Sequence, residues 1–379
     1  MKIAIVTETY PPEVNGVALT VHSLVSQMAA DGHDLLLVRP RQPGVSAMPL
    51  ARPVSELLVA GAALPKYPGL RFGFPAGRLL NRHFGARRPD AVYVATEGPL
   101  GWSAVRAASR LGIPVATGFH TRFDAYAGAY GLGPLTPLVR HWLRRLHNAS
   151  GATVVPTDEL RQWLVARGFE RVRVVARGVD TELFDPARRD PALRARWGVG
   201  ARGLAVIHVG RIAAEKNLGL AIEAFRLIRQ QRPDARFIFV GTGPQAVRLQ
   251  REHPDFVFTG LRLGEDLAGH FASADLFLFP SLTETFGNVT IEAMAAGVPT
   301  VAFDYGAART HMKDGVHGRL AACGDEPAFV DAAVQTAMDD AGRRAMGIAS
   351  RKTALTLRPQ QVTRDFVGLL AGLSAGAAA

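Results

Sequence analysis

The stretch "LFLFPSLTETFGNVTIEAMAAGVPTVAFD", residues 276–304, decides the fold. Leu276 to Phe279 is an unbroken apolar run, the pattern of a strand buried on both faces, and Pro280 ends it. A short loop then carries Glu284. From about Asn288 to Ala296 the apolar spacing turns helical, Gly297 stops the helix, and Thr300 to Phe303 reads as a second buried strand. Strand, helix, strand is the repeating unit of a parallel α/β layer. Glu284 and Glu292 bracket the helix start, with Gly287 and Asn288 at the bend, and the rest of the sequence has to supply what they face.

Outward from this stretch the same rhythm recurs. In the first half, strands are expected at Lys2 to Thr7, Asp34 to Val38, Ala91 to Ala95, Val115 to Gly118, Thr153 to Pro156 and Arg173 to Val175. An amphipathic helix is expected from Val17 to Ala30, with Val17, Val21, Leu24, Val25 and Met28 on one face and Gly32 as its stop. The stretch "RGVDTELFDPARRDP", residues 177–191, has the Gly, Asp and Pro content of a connector. Beyond it, strands read at Leu204 to Val209, Arg236 to Val240, Phe256 to Thr259, Leu276 to Phe279 and Thr300 to Phe303. At 379 residues the chain exceeds what one core serves. The expectation is two doubly wound, Rossmann-like α/β domains, residues 1–180 and 187–357. Such sheets bind ligands beyond the carboxyl ends of their strands, so two of them suggest a cleft between domains.

With 48% apolar and 20% charged residues the chain is globular and not disordered. Its net charge of +11 is uneven: residues 1–180 carry a surplus of nine positive charges, which suits an anionic partner such as a membrane surface or a phosphorylated substrate. Nucleic acid is not expected, because the basic residues are not interleaved with stacking aromatics and no nucleic-acid motif occurs. Cys323 is the single cysteine, which excludes an intramolecular disulfide framework and fits a reducing compartment. The N-terminus turns polar too soon for a secretory leader, and no apolar run approaches the roughly 20 residues of a membrane helix. The oily tail from Phe366 reads as a packed or frayed end. A cytoplasmic protein is expected, peripheral to the inner face of a membrane if it touches one.

Candidate ligand groups fall at strand ends. "HVGRIAAEKN", residues 208–217, delivers Arg211 and Lys216 just past a buried strand, a planar fork and a point charge that together suit a diphosphate. Gly241 and Gly243 follow the strand Arg236 to Val240, where a tight turn accounts for them as well as a ligand does. Gly16 opens a helix whose backbone N–H groups can meet an anion, and a plain helix start accounts for it equally. His120 sits just beyond the strand Val115 to Gly118, placed for a substrate hydroxyl or for a capping or core role. The N–H groups of Gly287, Asn288 and Val289 lack partners within their own helix start and form an anion seat. Glu284 and Glu292 would bear on a ligand with an anionic middle and hydroxyl-rich ends. Glu284 alone also fits compensation of the helix dipole.

In order and spacing these motifs resemble the retaining glycosyltransferases of family four, which have the two-domain GT-B fold. The resemblance rests on Glu284 and Glu292 with Phe286-Gly287 between them, Gly210-Arg211 with Lys216-Asn217, the Gly241-Thr242-Gly243 turn, the His120 strand end, the Gly16 loop and the Arg177-Gly178-Val179-Asp180 connector. It implies that a nucleotide diphosphosugar is bound mainly by the C-terminal domain, with no cofactor. Arg211 and Lys216 would hold the diphosphate, Glu292 the ribose hydroxyls and Glu284 sugar hydroxyls near the anomeric carbon. The amides of Gly287, Asn288 and Val289 would bind diphosphate or sugar oxygens, Gly16 would let its loop approach the donor, and His120 would contact the sugar 6-hydroxyl. The last helix, roughly Arg358 to Leu370, would return to the N-terminal domain. No Asp-any-Asp triplet occurs, so no metal clamp is expected, and Arg211, Lys216 and the Asn288 helix would stabilise the leaving diphosphate. Thr285 stands where such enzymes often have Gly.

Within the family, "FHTRFDAYAGAYG" and "RGVDTELF" look most like transferases that mannosylate lipid acceptors from GDP-mannose, with sulfoquinovosyl and glucosyl enzymes using UDP-sugars close behind. Residues 64–88 and 137–148 mix basic and apolar residues, so a glycolipid or other membrane-linked acceptor is favoured. A nucleotide-sugar epimerase or hydrolase of the same fold is the alternative.

Overall fold

Ile3 to Val6, Ala91 to Val94 and Ala205 to Val209 are buried at every position, as a strand covered by helices on both faces requires. The computed structural model describes residues 1–42, 50, 52–63, 71–120 and 136–378. It divides into two units, Met1–Arg177 with Pro359–Ala379, and Gly178–Arg358.

The first unit holds β1 (Lys2–Val6), β2 (Asp34–Pro40), β3 (Ser55–Val59), a small antiparallel pair β4 (Gly61–Ala63) and β5 (Arg71–Gly73), then β6 (Ala91–Val94), β7 (Val115–Gly118), β8 (Ala152–Val155) and β9 (Val172–Val174). Seven of these form one parallel sheet in the order β3-β2-β1-β6-β7-β8-β9. The second unit holds β10 (Ala205–Val209), β11 (Arg236–Val240), β12 (Val257–Gly260), β13 (Leu276–Phe279), β14 (Thr300–Phe303) and β15 (Gly318–Ala321). They form a parallel sheet in the order β12-β11-β10-β13-β14-β15. Strand order reverses between β1 and β6 in the first sheet and between β10 and β13 in the second, and ligand crevices open at such points. The loops leaving β10 and β13 are therefore neighbours, with Val206 opposite Leu276 and Ile207 opposite Phe277.

The expected strands are present with ends shifted by a residue or two, while β3, β15 and the β4–β5 pair go beyond the expectation. Their sequences show why. β3 reads Ser-Glu-Leu-Leu-Val at a sheet edge with only Val59 buried, and β15 reads Gly-Arg-Leu-Ala, so neither is apolar along its whole length. Stretches 64–70 and 121–135, which include parts of the basic segment and of the His120 motif, lie outside the described residues.

The final helix, Pro359–Ala378, belongs to the first unit. Phe366 and Leu370 are buried in the core formed with Val21, Val25 and Ile5, and the Phe366 ring meets Tyr93 edge-on at 4.8 Å. Phe366 and Leu370 thus anchor the oily tail in this core. Among the described residues no helix is long and apolar enough to cross a membrane. Removing the Phe366 ring leaves a cavity between this helix and the sheet, so Phe366→Ala is expected to lower unfolding stability by about 3–5 kcal/mol. A denaturant titration showing a loss under about 1 kcal/mol would mean that the helix is not docked.

Candidate functional site

In the second unit the chain leaves β10 at Gly210, whose φ of 147° lies in the left-handed region. The neighbouring turn packs against it so closely that a Cβ on Gly241 would lie 1.9 Å from the Gly210 carbonyl oxygen, and one on Gly243 2.3 Å from that of Ile212. Both glycines are required by this packing, which fixes the path of Arg211 and Lys216. The Arg211 guanidinium pairs with Glu215 at 3.3 Å, and the Glu215 side chain is almost wholly buried. The Lys216 ammonium pairs with Glu284 Oε1 across the β10–β13 boundary and lies 5.5 Å from the centre of the Phe279 ring.

Glu284 is held by more than Lys216. Ser281 Oγ donates to the same Oε1 at 2.6 Å, and the Glu284 amide donates to the Tyr305 hydroxyl at 3.0 Å. Tyr305 in turn donates to the Ser281 carbonyl at 2.6 Å. Burial alone would push the Glu284 carboxyl upward, but the Lys216 charge and the bonds from Lys216 and Ser281 outweigh it and hold it below its usual range. Glu284 is therefore an ionised carboxylate near neutral pH. All these side-chain bonds reach Oε1, and among the described residues none reaches Oε2.

Glu292 is the opposite case. It lies in the helix Asn288–Ala295, and burial alone raises its carboxyl to about 7. Among the described residues no side chain or amide bonds it. The helix begins after Gly287, whose φ of 92° costs a glycine little, and the start has no side-chain cap and no acid in its first turn. Phe286 is buried, its carbonyl accepting from the Ala307 amide at 2.7 Å. Arg211, Lys216, Glu284, Phe286, Gly287, Asn288, Val289 and Glu292 thus gather around the carboxyl ends of β10 and β13. A partly buried helix start beside cationic side chains can hold a phosphate group.

The first unit carries Gly16 and His120. Gly16 opens the helix Gly16–Ala30, capped by Asn15, whose side chain accepts from the Ala18 amide. A Cβ at Gly16 would meet nothing within 4 Å, so this chain's own packing does not require glycine there. His120 is buried, with Nε2 2.6 Å from the Tyr93 hydroxyl and Nδ1 2.8 Å from Arg177. A guanidinium only donates, so Nδ1 accepts and Nε2 carries the proton. Burial, together with the Arg177 charge, holds His120 well below its usual pKa and keeps it neutral. Just past the end of β1, Glu8 accepts from the Leu100 amide at 2.9 Å, filling the start of helix Pro99–Arg110 with an acid from its own chain.

Four residues at the second-unit site do not stand out in the sequence. Glu215 is paired with Arg211, and Ser281 and Tyr305 hold Glu284. His208, in β10, donates from Nδ1 to the Leu278 carbonyl at 3.1 Å, while its Nε2 is buried without a partner among the described residues. Burial lowers its pKa to about 4. Ser281 and Tyr305 have a positional signal, each lying two residues past the end of a strand, β13 and β14.

Two family profiles match the chain, one described as "Glycosyltransferase Family 4" over residues 14–183 and one as "Glycosyl transferases group 1" over residues 203–339. The chain is 34% identical over 373 residues, 97% of itself and 96% of the relative, to a GDP-mannose-dependent alpha-mannosyltransferase of Mycolicibacterium smegmatis. It is 33% identical over 362 residues, 94% of itself and 92% of the relative, to a protein of the same description from Mycobacterium tuberculosis. Its fold is similar to that of a sucrose-phosphate synthase from Thermosynechococcus elongatus, with a TM-score of 0.79 at 19% identity, covering 99% of both chains. The chain therefore belongs to glycosyltransferase family four, as a hexosyltransferase of the GT-B fold that takes its sugar from a nucleotide sugar.

Proposed function

We propose that this enzyme moves mannose from GDP-mannose, with retention and without a metal ion, to a glycolipid or other membrane-linked acceptor. The observation that carries the site assignment is the meeting of Lys216 with Glu284 where strand order reverses, beside Arg211 and the Asn288 helix start. The choice of mannose and GDP is supported by the names of relatives at 33% and 34% identity.

Arg211, Lys216 and the amides of Gly287, Asn288 and Val289 take the diphosphate, with Gly243 supporting their loop. Glu292 accepts from the ribose hydroxyls, and Glu284 accepts a sugar hydroxyl at Oε2. Gly16 and His120 serve the sugar side of the donor, a sugar hydroxyl replacing Tyr93 as acceptor of the His120 Nε2 proton. The acceptor oxygen bonds the anomeric carbon as the bond from that carbon to the diphosphate oxygen breaks, and the acceptor proton passes to the leaving diphosphate. Glu284 stays out of covalent chemistry because its charge is already engaged by Lys216. A membrane-linked acceptor is supported by the helix Thr136–Asn148, where Arg140, Arg144 and Arg145 accompany exposed Leu138 and half-exposed Trp142. These features also support work at the cytoplasmic face of a membrane.

Thermal shift against GDP-mannose, UDP-glucose and UDP-sulfoquinovose tests the donor. A donor at 100 times its Kd raises unfolding stability by about 2.7 kcal/mol, and the largest shift is expected with GDP-mannose. A larger shift with a UDP-sugar would replace that donor, and turnover without any acceptor would mark a hydrolase or epimerase.

Gly16→Ala separates ligand approach from folding. Because the added methyl meets no protein atom, Tm is expected to hold or rise slightly while kcat/KM for the donor falls at least about tenfold. Unchanged turnover would remove Gly16 from the site.

Glu292 sets a pH signature. Its raised carboxyl gives the folded state more affinity for a proton than the unfolded chain has, so its contribution to stability is present below the usual carboxylate range and is lost as pH rises through about 7. Ribose hydroxyls favour the ionised form, so GDP affinity is expected to weaken as pH falls below about 7, and Glu292→Gln should flatten that dependence relative to wild type. An identical pH profile of GDP binding in both proteins would contradict the ribose role.

A further inference from the structure

The loop from Pro280 to Gly287 carries Glu284, and a loop without support at a strand end would let that carboxylate wander. Its support comes from the next strand. Tyr305 lies two residues past the end of β14, and because β14 pairs with β13 in parallel the two exits lie side by side. The Tyr305 hydroxyl uses both of its capacities on this one turn. It donates to the Ser281 carbonyl at 2.6 Å and accepts from the Glu284 amide at 3.0 Å, closing the turn from both ends. A second strap lies next to it, where the Ala307 amide donates to the Phe286 carbonyl at 2.7 Å. Gly306 allows this close approach, since a Cβ there would sit 2.7 Å from the same carbonyl oxygen. Ser281, fully buried, turns its own hydroxyl onto Glu284 Oε1.

We propose that Tyr305 is a positioning residue for Glu284, which it aims by fixing the Ser281–Glu284 turn without touching the ligand itself. Rotation of the carboxylate is limited by Lys216 and Ser281 at Oε1, and its position along the loop is limited by Tyr305. Oε2 is then presented to a sugar hydroxyl in one place. A displacement of about 1 Å at such a contact lowers turnover by as much as about 100-fold.

The proposal rests on the transferase reading given above, so its test has one arm with activity and one without. Tyr305→Phe keeps the ring and removes only the hydroxyl. It is expected to lower kcat about 10- to 100-fold while the Ki of free nucleoside diphosphate stays within about threefold. In a Glu284→Gln background the same change should lower kcat by less than about a further threefold, since residues acting through one group are not additive. A full further tenfold loss there overturns the proposal, as does a Tyr305→Phe kcat close to wild type. The second arm follows hydrogen exchange of the Glu284 amide in the intact protein, expected at least about tenfold faster in Tyr305→Phe with the β13 amides unchanged. Unchanged exchange at Glu284 overturns the proposal even if no donor is turned over. Faster exchange in a protein whose wild type uses no donor supports the placement of Glu284 and sinks the transferase reading alone.

Discussion

The pairing of Lys216 with Glu284 is the interaction on which the second unit's site depends. Two groups that each prefer water are drawn together at the carboxyl end of an apolar sheet, where burial alone would push the Glu284 carboxyl upward. Unit charges 4 Å apart attract by about 1 kcal/mol in bulk water and by about 4 kcal/mol near a protein surface. The Glu284 carboxyl shows which side wins, because it is held below its usual range despite its burial. The pair exists because β10 and β13 are adjacent in register, so the loops that leave them end within reach of each other. Sheet order, and not local sequence, makes the contact.

The two glutamates answer to opposite forces. Glu284 has a lysine and a hydroxyl and stays ionised; Glu292, one helical stretch later, has neither and is pushed up to about 7. Carboxyls driven apart in this way often mark an acid and a base. Here the partners differ as well, since Glu284 Oε1 already accepts from Lys216 and Ser281 while the Glu292 carboxyl has no bonded partner among the described residues. His208 belongs to the same neighbourhood. Its buried Nε2 lone pair lies 3.7 Å from where a Gly210 Cβ would be, an open acceptor beside the loop that carries Lys216.

The alternation of apolar runs with helical spacing is legible in the sequence because parallel strands are buried on both faces, and β1, β10 and β13 announce themselves without any partner being known. The motif residues are legible because a lysine and paired acids just past the ends of apolar strands do not serve the apolar core, while the glycines of the neighbouring turn are explained by packing. What the sequence does not show is anything set by the neighbour across the sheet. Tyr305 has no motif, and it matters only because β14 lies beside β13. Glu215 has the look of an ordinary helix acid, and only the 3.3 Å pair with Arg211 places it under that guanidinium. His120 reads as a substrate-facing group, and its strand-end placement is observed, but the bonds to Tyr93 and Arg177 that fix its tautomer come from residues 27 and 57 positions away.

The arginine-rich composition also changes meaning once the partners are known. Arg351 donates from Nη1 to the carbonyls of Thr181, Phe184 and Ala295 at 2.9, 2.7 and 2.8 Å, and from Nη2 to Asp185 at 2.6 Å. Arg194 likewise bonds the carbonyls of Ser273 and Gly203. A guanidinium with five donors can close several chain ends at once, which an ammonium cannot do. Ala295 ends the helix that Asn288 begins, so Arg351 places a cation at the negative end of that helix dipole while its positive end has no acid in the first turn. The helix is thereby biased to accept an anion at its start. Much of the positive charge in this unit is therefore architectural, and Lys216, one of only five lysines, stands where a compact point charge is needed.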